Sequence, residues 1–175
     1  MAATDDRHRL EVAERQLALV QGFFPRIDGK VSALFAIMSA QIAIAALNVT
    51  AKNLTQWYVG LPLTAFLLAA AVVYVFLYRC SYPHLEGGHN SLVYFAEIAK
   101  RREADFVRDY LAISVGSLAE DVSGQIWRNS QIVDCKFKYL KLATQFAMLS
   151  VIPWAFVLIA TSYSNGRLPL LTGQG

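Results

Sequence analysis

Three long apolar stretches without Lys, Arg, Asp or Glu constrain the fold of this chain most strongly. They cover residues 31–49, 61–78 and 142–163. Each has about the 17–25 residues that a helix needs to cross the roughly 30 Å hydrocarbon core of a bilayer. Backbone N–H and C=O groups in hydrocarbon must find partners within their own segment, so each stretch is predicted to be helical. Ala36 and Ala40, Ser39 and Ala43, and Ala65 and Ala69 are small residues four apart, a spacing typical of helices that pack closely in lipid. We therefore expect an all-α integral membrane protein with three transmembrane helices.

The distribution of Lys and Arg predicts the orientation of these spans. Of the 16 Lys and Arg residues, five lie in residues 1–30, one in 50–60, nine in 79–141 and one in 164–175. Cytoplasmic loops carry an excess of Lys and Arg, so residues 1–30 and 79–141 are expected in the cytoplasm. The loop 50–60 and the tail 164–175 are then expected on the outer side.

Residues 1–30 are predicted to form a cytoplasmic amphipathic helix. Between about residues 9 and 24, apolar side chains recur at steps of three and four and make one stripe, which consists of Leu10, Ala13, Leu17, Val20 and Phe24. Pro25 is expected to break this regularity. Asp28 and Lys30 then lead into the first span, either as a boundary pair or as functional residues.

Residues 79–141 are predicted to be a cytoplasmic helical region continuous with the last span. A loop over 81–90 precedes a helix over about 91–102, and a long helix from about residue 103 meets no proline until Pro153. One face of that long helix repeats at steps of three and four, as in a coiled-coil seam. The seam residues are Leu111, Val115, Leu118, Val122, Gln125, Asn129, Val133, Lys136 and Leu140.

The polar members of this seam leave two interpretations open. Gln125, Asn129 and Lys136 can fix helix register or oligomeric state, which periodicity alone favours. They can also contact a polar ligand held between helices. The pair Gly87–Gly88 is likewise read as a plain turn, with a phosphate-binding loop as the alternative.

No motif in the chain is typical of catalysis. A nucleophile elbow, a Walker loop, a Rossmann glycine motif and a metal-binding His/Glu cluster are all missing from the sequence. His84 and His89 are read as loop residues. An enzyme is therefore the least expected class, and we predict neither a cofactor nor a metal site.

Three blocks of the sequence resemble the Pycsar transmembrane effector family. The first reads S-x-x-Y-F-x-x-I-A and begins at Ser91. The second reads Q-I-x-x-x-S-x-I-x-x-x-K-F and begins at Gln125. The third is the D-x-K sequence from Asp28 to Lys30, which is similar to the entry into the family's first span. The resemblance extends over about residues 10–159, and the tail from Arg167 onward has no counterpart.

This resemblance implies a bacterial antiphage defence effector of the inner membrane, and the distribution of Lys and Arg then predicts a cytoplasmic N-terminus and a periplasmic C-terminus. In such systems a nucleotide cyclase responds to infection by making a cyclic nucleotide such as cyclic CMP or cyclic UMP. The effector binds that second messenger and impairs the lipid bilayer, which causes abortive infection. A homo-oligomer is expected, because three spans enclose a pore poorly, and no nucleic-acid partner is expected.

The resemblance places the ligand site on the cytoplasmic helices. Cationic side chains, including Arg102, would bind the phosphate, aromatic rings would stack on the base, and amide and hydroxyl groups would read its polar edges. The expected ligand-binding residues are Ser91, Tyr94, Phe95, Arg101, Gln125, Asn129, Ser130, Lys136 and Lys138. Asp28 and Lys30 are expected to couple binding to the spans.

Two other classes of protein remain possible on the sequence. One is a constitutive oligomeric channel or holin-like pore that needs no soluble ligand. The other is a membrane scaffold that recruits a cytoplasmic partner through the seam over residues 111–140.

Overall fold

The computed structural model describes residues 2–82, 88 and 90–166, and these residues are almost entirely helical. The described helices are α1 (Ala2–Gln21), α2 (Phe23–Asn48), α3 (Ala51–Leu54), α4 (Trp57–Ser81), α5 (Phe95–Ile98), α6 (Glu103–Ala112) and α7 (Val115–Asn165). The helical stretches Asp5–Asn48, Trp57–Ser81 and Val115–Asn165 are each long and apolar enough to cross a bilayer. The predicted fold class, an all-α membrane protein with three spans, is confirmed. His84, Gly87, His89 and the tail from Arg167 lie outside the described residues.

The chain divides into two compact units. The polar unit comprises Met1–Arg26 and Pro83–Lys136, and the span unit comprises Ile27–Tyr82 and Phe137–Gly175. Helix α7 supplies its first part to the polar unit and the rest to the span unit. The predicted continuity between the last span and the helix that precedes it is therefore confirmed.

The core of the span unit lies where α2, α4 and α7 pack together. Its buried residues are Met38, Ala45, Phe66, Ala70, Val73, Leu77, Ala143 and Ala147. Small side chains let helix backbones approach closely, and dispersion contacts then stabilise the pairing in lipid. Of the three pairs expected from the sequence to make such contacts, Ala36 and Ala40 are both exposed, whereas Ser39 and Ala69 of the other two are half-buried. The closely packed face of α2 is therefore the face of Met38 and Ala45.

Hydrogen bonds between the spans reinforce this packing. Trp154 Nε1 donates to the backbone oxygen of Gln41 over 3.0 Å, which joins α7 to α2. The hydroxyl groups of Ser39 and Tyr74 lie 3.0 Å apart and join α2 to α4. Lipid tails offer no alternative partners to these groups. Helix α2 is therefore bonded to both other spans.

Asn48, Asn53 and Asn165 form an asparagine cluster where α2 and α7 end. Asn165 Nδ2 donates to the Asn48 carbonyl over 3.2 Å, and Asn53 Nδ2 donates to Asn165 Oδ1 over 3.3 Å. Asn53 is fully buried. Nearby, Ser164 Oγ donates to Gln56 Oε1 over 2.8 Å. These bonds fix three parts of the chain relative to one another: the last turn of α2, the last turn of α7, and the connection between α2 and α4.

In the polar unit, α1 has the amphipathic character that its sequence predicts. Ala13 is buried, and Leu10 and Leu17 are half-buried. Val12 and Leu19, which lie outside the predicted stripe, are 50% and 71% exposed. The apolar stripe is therefore the face of α1 that packs against protein.

The helix break near Pro25 lies three residues earlier than predicted. Helix α1 ends at Gln21, and the Gly22 amide donates to the Ala18 carbonyl over 2.9 Å. Helix α2 begins at Phe23, so Pro25 falls within its first turn. The first N–H groups of a helix have no intrahelical acceptor, so proline is tolerated there.

The helices predicted over residues 91–112 are shorter than expected. Only Phe95–Ile98 is α-helical within the first predicted helix. The long helix predicted from residue 103 is interrupted, because Ile113 is extended and Ser114 caps α7. Ser114 Oγ accepts the Ser117 N–H over 3.1 Å, the usual bond of an N-cap serine. Leu111, expected to begin the seam, is 79% exposed.

Candidate functional site

Three polar side chains of α7, Asp121, Gln125 and Arg128, form a polar ladder along one side of the helix. Their spacing of four and then three residues places them on the same face. Asp121 Oδ2 accepts the Leu92 N–H over 2.7 Å. Gln125 Nε2 donates to Ser91 Oγ over 3.2 Å. The ladder therefore holds the segment of residues 90–94 against α7.

Ser91 organises the start of that segment. Its Oγ accepts the N–H groups of Val93 and Tyr94 over 3.1 and 2.9 Å. Both Ser91 and Gln125 are buried. Two residues that were expected in one site from separate sequence blocks are thus in direct contact.

Arg101 is tied to the same segment. Its Nη2 donates to the Asn90 carbonyl over 2.9 Å, and its Nη1 pairs with Asp109 over 2.9 Å. Asn90 has a φ of 61°, a left-handed conformation that asparagine tolerates better than most residues. Arg101 therefore lies beside Ser91, and an anion that binds it must compete with Asp109.

Arg102, also expected near a phosphate, is engaged on the surface of α6. Its Nε donates to Asp105 Oδ2 over 2.9 Å. This hydrogen bond is the main reason that the pKa of Asp105 lies below its ordinary value; desolvation opposes the shift, and the charge of Arg108 adds to it. Asp105 therefore stays ionised at neutral pH and keeps its bond to Arg102.

Tyr94 and Phe95 provide aromatic surface next to the ladder. Their ring centroids lie 5.0 Å apart in an edge-to-face arrangement. Tyr94 is half-buried, whereas Phe95 is 68% exposed. An exposed ring on an ordered segment can stack on a nucleic-acid base, since every base has a π-face.

Further along α7, Lys136 is a buried cation. Its Nζ lies 5.8 Å from the centroid of the Phe24 ring, within the range of a cation–π interaction. Asn129 is half-buried. Ser130 is exposed, and its hydroxyl donates to the Ile126 carbonyl over 2.8 Å. Ser130 therefore lies off the buried face of α7.

The remaining expected residues belong to the span unit. Asp28, Lys30 and Lys138 are all exposed and lie outside the polar unit that holds the ladder. Their expected roles stay predictions.

Asp121 and Arg128 belong to the ladder, although the apolar seam did not point to them. The sequence pattern that could have identified them is the recurrence of polar residues. Asp121, Gln125 and Arg128 are separated by steps of four and three, as the seam residues are. That pattern indicates a polar face of the helix.

Replacing Gln125 with leucine is expected to lower the free energy of unfolding by about 0.5–1.5 kcal/mol, the net contribution of one hydrogen bond. The substitution removes the bond to Ser91 Oγ, which still accepts the Val93 and Tyr94 N–H groups. Thermal unfolding of the purified protein, followed by far-UV circular dichroism, measures the change. Gln131→Leu, at an exposed position of the same helix, is the control. Equal effects of the two substitutions would show that the Ser91–Gln125 bond contributes nothing.

The fold and the polar ladder together define an α-helical membrane protein with three spans. The third span and the ladder belong to one helix, α7. Residues 12–162 match the Pycsar effector protein domain. The chain therefore belongs to the Pycsar effector family, a family of antiphage defence effectors, as the three sequence blocks indicated. Neither a curated protein nor a solved structure matches the chain significantly.

Proposed function

We propose that this effector senses a cyclic nucleotide with its polar unit and then impairs the inner membrane of the infected cell. The contact between Ser91 and Gln125 carries the proposal, because it joins the two family-like sequence blocks at one buried polar position. Cyclic CMP or cyclic UMP, made by a partner nucleotide cyclase, is the proposed signal. Loss of membrane integrity would stop the cell before phage mature, which is abortive infection.

The chemistry of the polar unit suits such a ligand. A cyclic nucleotide offers a singly charged phosphodiester, a ribose hydroxyl and a flat base. The exposed ring of Phe95 supports stacking on the base. The Gln125 amide and the Ser91 hydroxyl have hydrogen-bonding capacity for polar edges, and Lys136 supplies a positive charge.

Helix α7 supports a route from ligand to membrane. It runs without interruption from Val115 to Asn165, through the ladder and on through the third span. A ligand shifts a conformational equilibrium only by its differential affinity for the two states. We propose that binding changes how α7 is held in the polar unit, with Asp28 and Lys30 at the entry to the first span as coupling residues.

The proposed arrangement in the cell follows from charge and span number. The excess of Lys and Arg in residues 1–30 and 79–141 supports a cytoplasmic polar unit and a periplasmic C-terminus. Leu68, Ile152 and Ile159 are apolar span residues that stay exposed within one chain. Such surfaces can face lipid or further copies, and a homo-oligomer would supply the spans that one chain lacks.

Leakage from liposomes that contain the purified full chain tests this function. We expect release of an entrapped dye when 3′,5′-cyclic CMP or 3′,5′-cyclic UMP is added. Little release is expected with 5′-CMP or 5′-UMP, which lack the ring. Protein-free liposomes with each nucleotide control for direct effects on the lipid.

Two results would overturn the proposal in different directions. Equal leakage with and without every nucleotide would favour the constitutive pore. No leakage from well-inserted protein, together with capture of a partner on the α7 seam, would favour the scaffold.

A further inference from the structure

Arg128 carries a buried donor that nothing in the described part of the chain satisfies. Its Nη1 atom is buried and has no hydrogen-bond acceptor among the described residues. A buried donor without a partner loses its hydration and gains nothing in return, and the loss is larger for a charged group. The free chain is therefore less stable here than it would be with an acceptor in place.

The backbone of Gly88 lies directly against this guanidinium group. A Cβ atom at Gly88 would fall 1.8 Å from Nη1 and 2.2 Å from Nη2 of Arg128. Any side chain at position 88 would have to push the guanidinium away. At Gly124, one turn earlier on α7, a Cβ would lie 3.9 Å from Nη2, which is an ordinary contact. The close approach of the guanidinium group is therefore to Gly88.

The rest of the ladder does not neutralise Arg128. Asp121 is bonded to the Leu92 N–H and lies two helical turns away. Gln125 is uncharged and donates to Ser91. In the part of the chain that the structure describes, no carboxylate forms an ion pair with Arg128.

A cyclic phosphodiester can supply the hydrogen-bond acceptor that Arg128 Nη1 lacks among the described residues. It carries one negative charge and two exocyclic oxygens, and the planar guanidinium fork can donate to two oxygens at once. The guanidinium group also lies against the Gly88 backbone.

We propose that Arg128 binds the phosphodiester anion of the ligand. This inference rests on the proposed function for the identity of the ligand, but not for the existence of an anion site. Anion binding supplies a charge-assisted acceptor to the buried Nη1 donor of Arg128, on the helix that continues into the last span.

Binding measurements on the full chain in detergent test the proposal. Isothermal titration calorimetry with 3′,5′-cyclic CMP and 3′,5′-cyclic UMP gives the affinity of each variant. Arg128→Gln is expected to weaken nucleotide binding at least tenfold. Arg15→Gln, which removes an exposed arginine from α1, is the matched control and should bind like the unmodified protein.

Gly88→Ala is a second variant that retains the arginine. Its new methyl group is expected to displace the guanidinium and to change nucleotide affinity at least threefold, without loss of helical content. A normal affinity in both Gly88→Ala and Arg128→Gln would overturn the role of Arg128 and leave nucleotide sensing intact.

Inorganic phosphate separates this inference from the proposed function. If the unmodified chain binds no cyclic nucleotide, but phosphate raises its thermal midpoint and Arg128→Gln abolishes that rise, the anion site stands and nucleotide sensing fails. If neither nucleotides nor phosphate bind the unmodified chain, both proposals fail.

Discussion

Lys136→Met is expected to raise the nucleotide concentration for half-maximal liposome leakage at least tenfold. Lys136 is a buried cation on α7, at the last position of the polar unit. A hydrogen bond to a charged group contributes about 1.5–3 kcal/mol, which corresponds to a factor of roughly ten to more than a hundred in affinity. Leakage assays over a nucleotide titration measure the shift.

The substituted protein should remain folded. Methionine has nearly the length of lysine without its charge, and far-UV circular dichroism checks that the variant keeps its helical content. Lys141→Met removes an exposed lysine from the same helix and is the control for the loss of one positive charge. Leakage by Lys136→Met at the normal nucleotide concentration would remove Lys136 from the sensing mechanism. Lost leakage with normal nucleotide affinity would assign it to coupling instead of binding.

Ala143→Leu is expected to lower the free energy of unfolding of the span unit by about 1–3 kcal/mol. Ala143 is fully buried in the core between α2, α4 and α7. Three additional carbon atoms at a closely packed position force neighbouring side chains or backbones apart, with a cost in this range. Hydrophobic burial does not offset the cost, because lipid is as apolar as the core.

Unfolding by sodium dodecyl sulfate in mixed micelles measures this loss. Ala46→Leu, at an exposed position of α2, makes the same change where the side chain meets only lipid or detergent. We expect this control to unfold at nearly the normal fraction of dodecyl sulfate. If Ala143→Leu also unfolds normally, the three spans are not packed through Ala143.

The spans were predictable because their signal is physical and local. The first predicted span ends at residue 49, and α2 ends at Asn48. A run of about twenty residues without charge has few alternatives in a protein, since its length matches the bilayer. The continuity of α7 was equally accessible, because no proline or glycine-rich turn separates the seam from the third span.

The faces of the spans were not predictable in the same way. Ala36 and Ala40 had the expected spacing, yet the packed small residues are Ala45, Ala70 and Ala143. In a soluble helix the polar side reveals which face points outward. In a span both faces are apolar, so sequence pattern alone does not separate the face toward lipid from the face toward protein.

The site was only partly predictable. Ser91 and Gln125 came from two blocks in the chain and proved to be bonded. The break at Ile113–Ser114 was missed, because serine at an N-cap is an ordinary residue elsewhere in a helix. Arg128 was missed because its environment depends on Gly88, forty positions earlier, and no periodicity of α7 contains that information.

The asparagine cluster gives the span bundle one fixed end. Because Asn165 is bonded to Asn48 and Asn53, α2 and α7 are held together there, and any tilting of α7 would have this cluster as its pivot. Displacement then grows with distance along α7. A rotation of about 10° around that end would move the opposite end of a roughly 30 Å span by about 5 Å. Asn165→Ala would weaken this attachment and let α7 slide as a whole. A movement of α7 would then produce a smaller difference in displacement between its two ends.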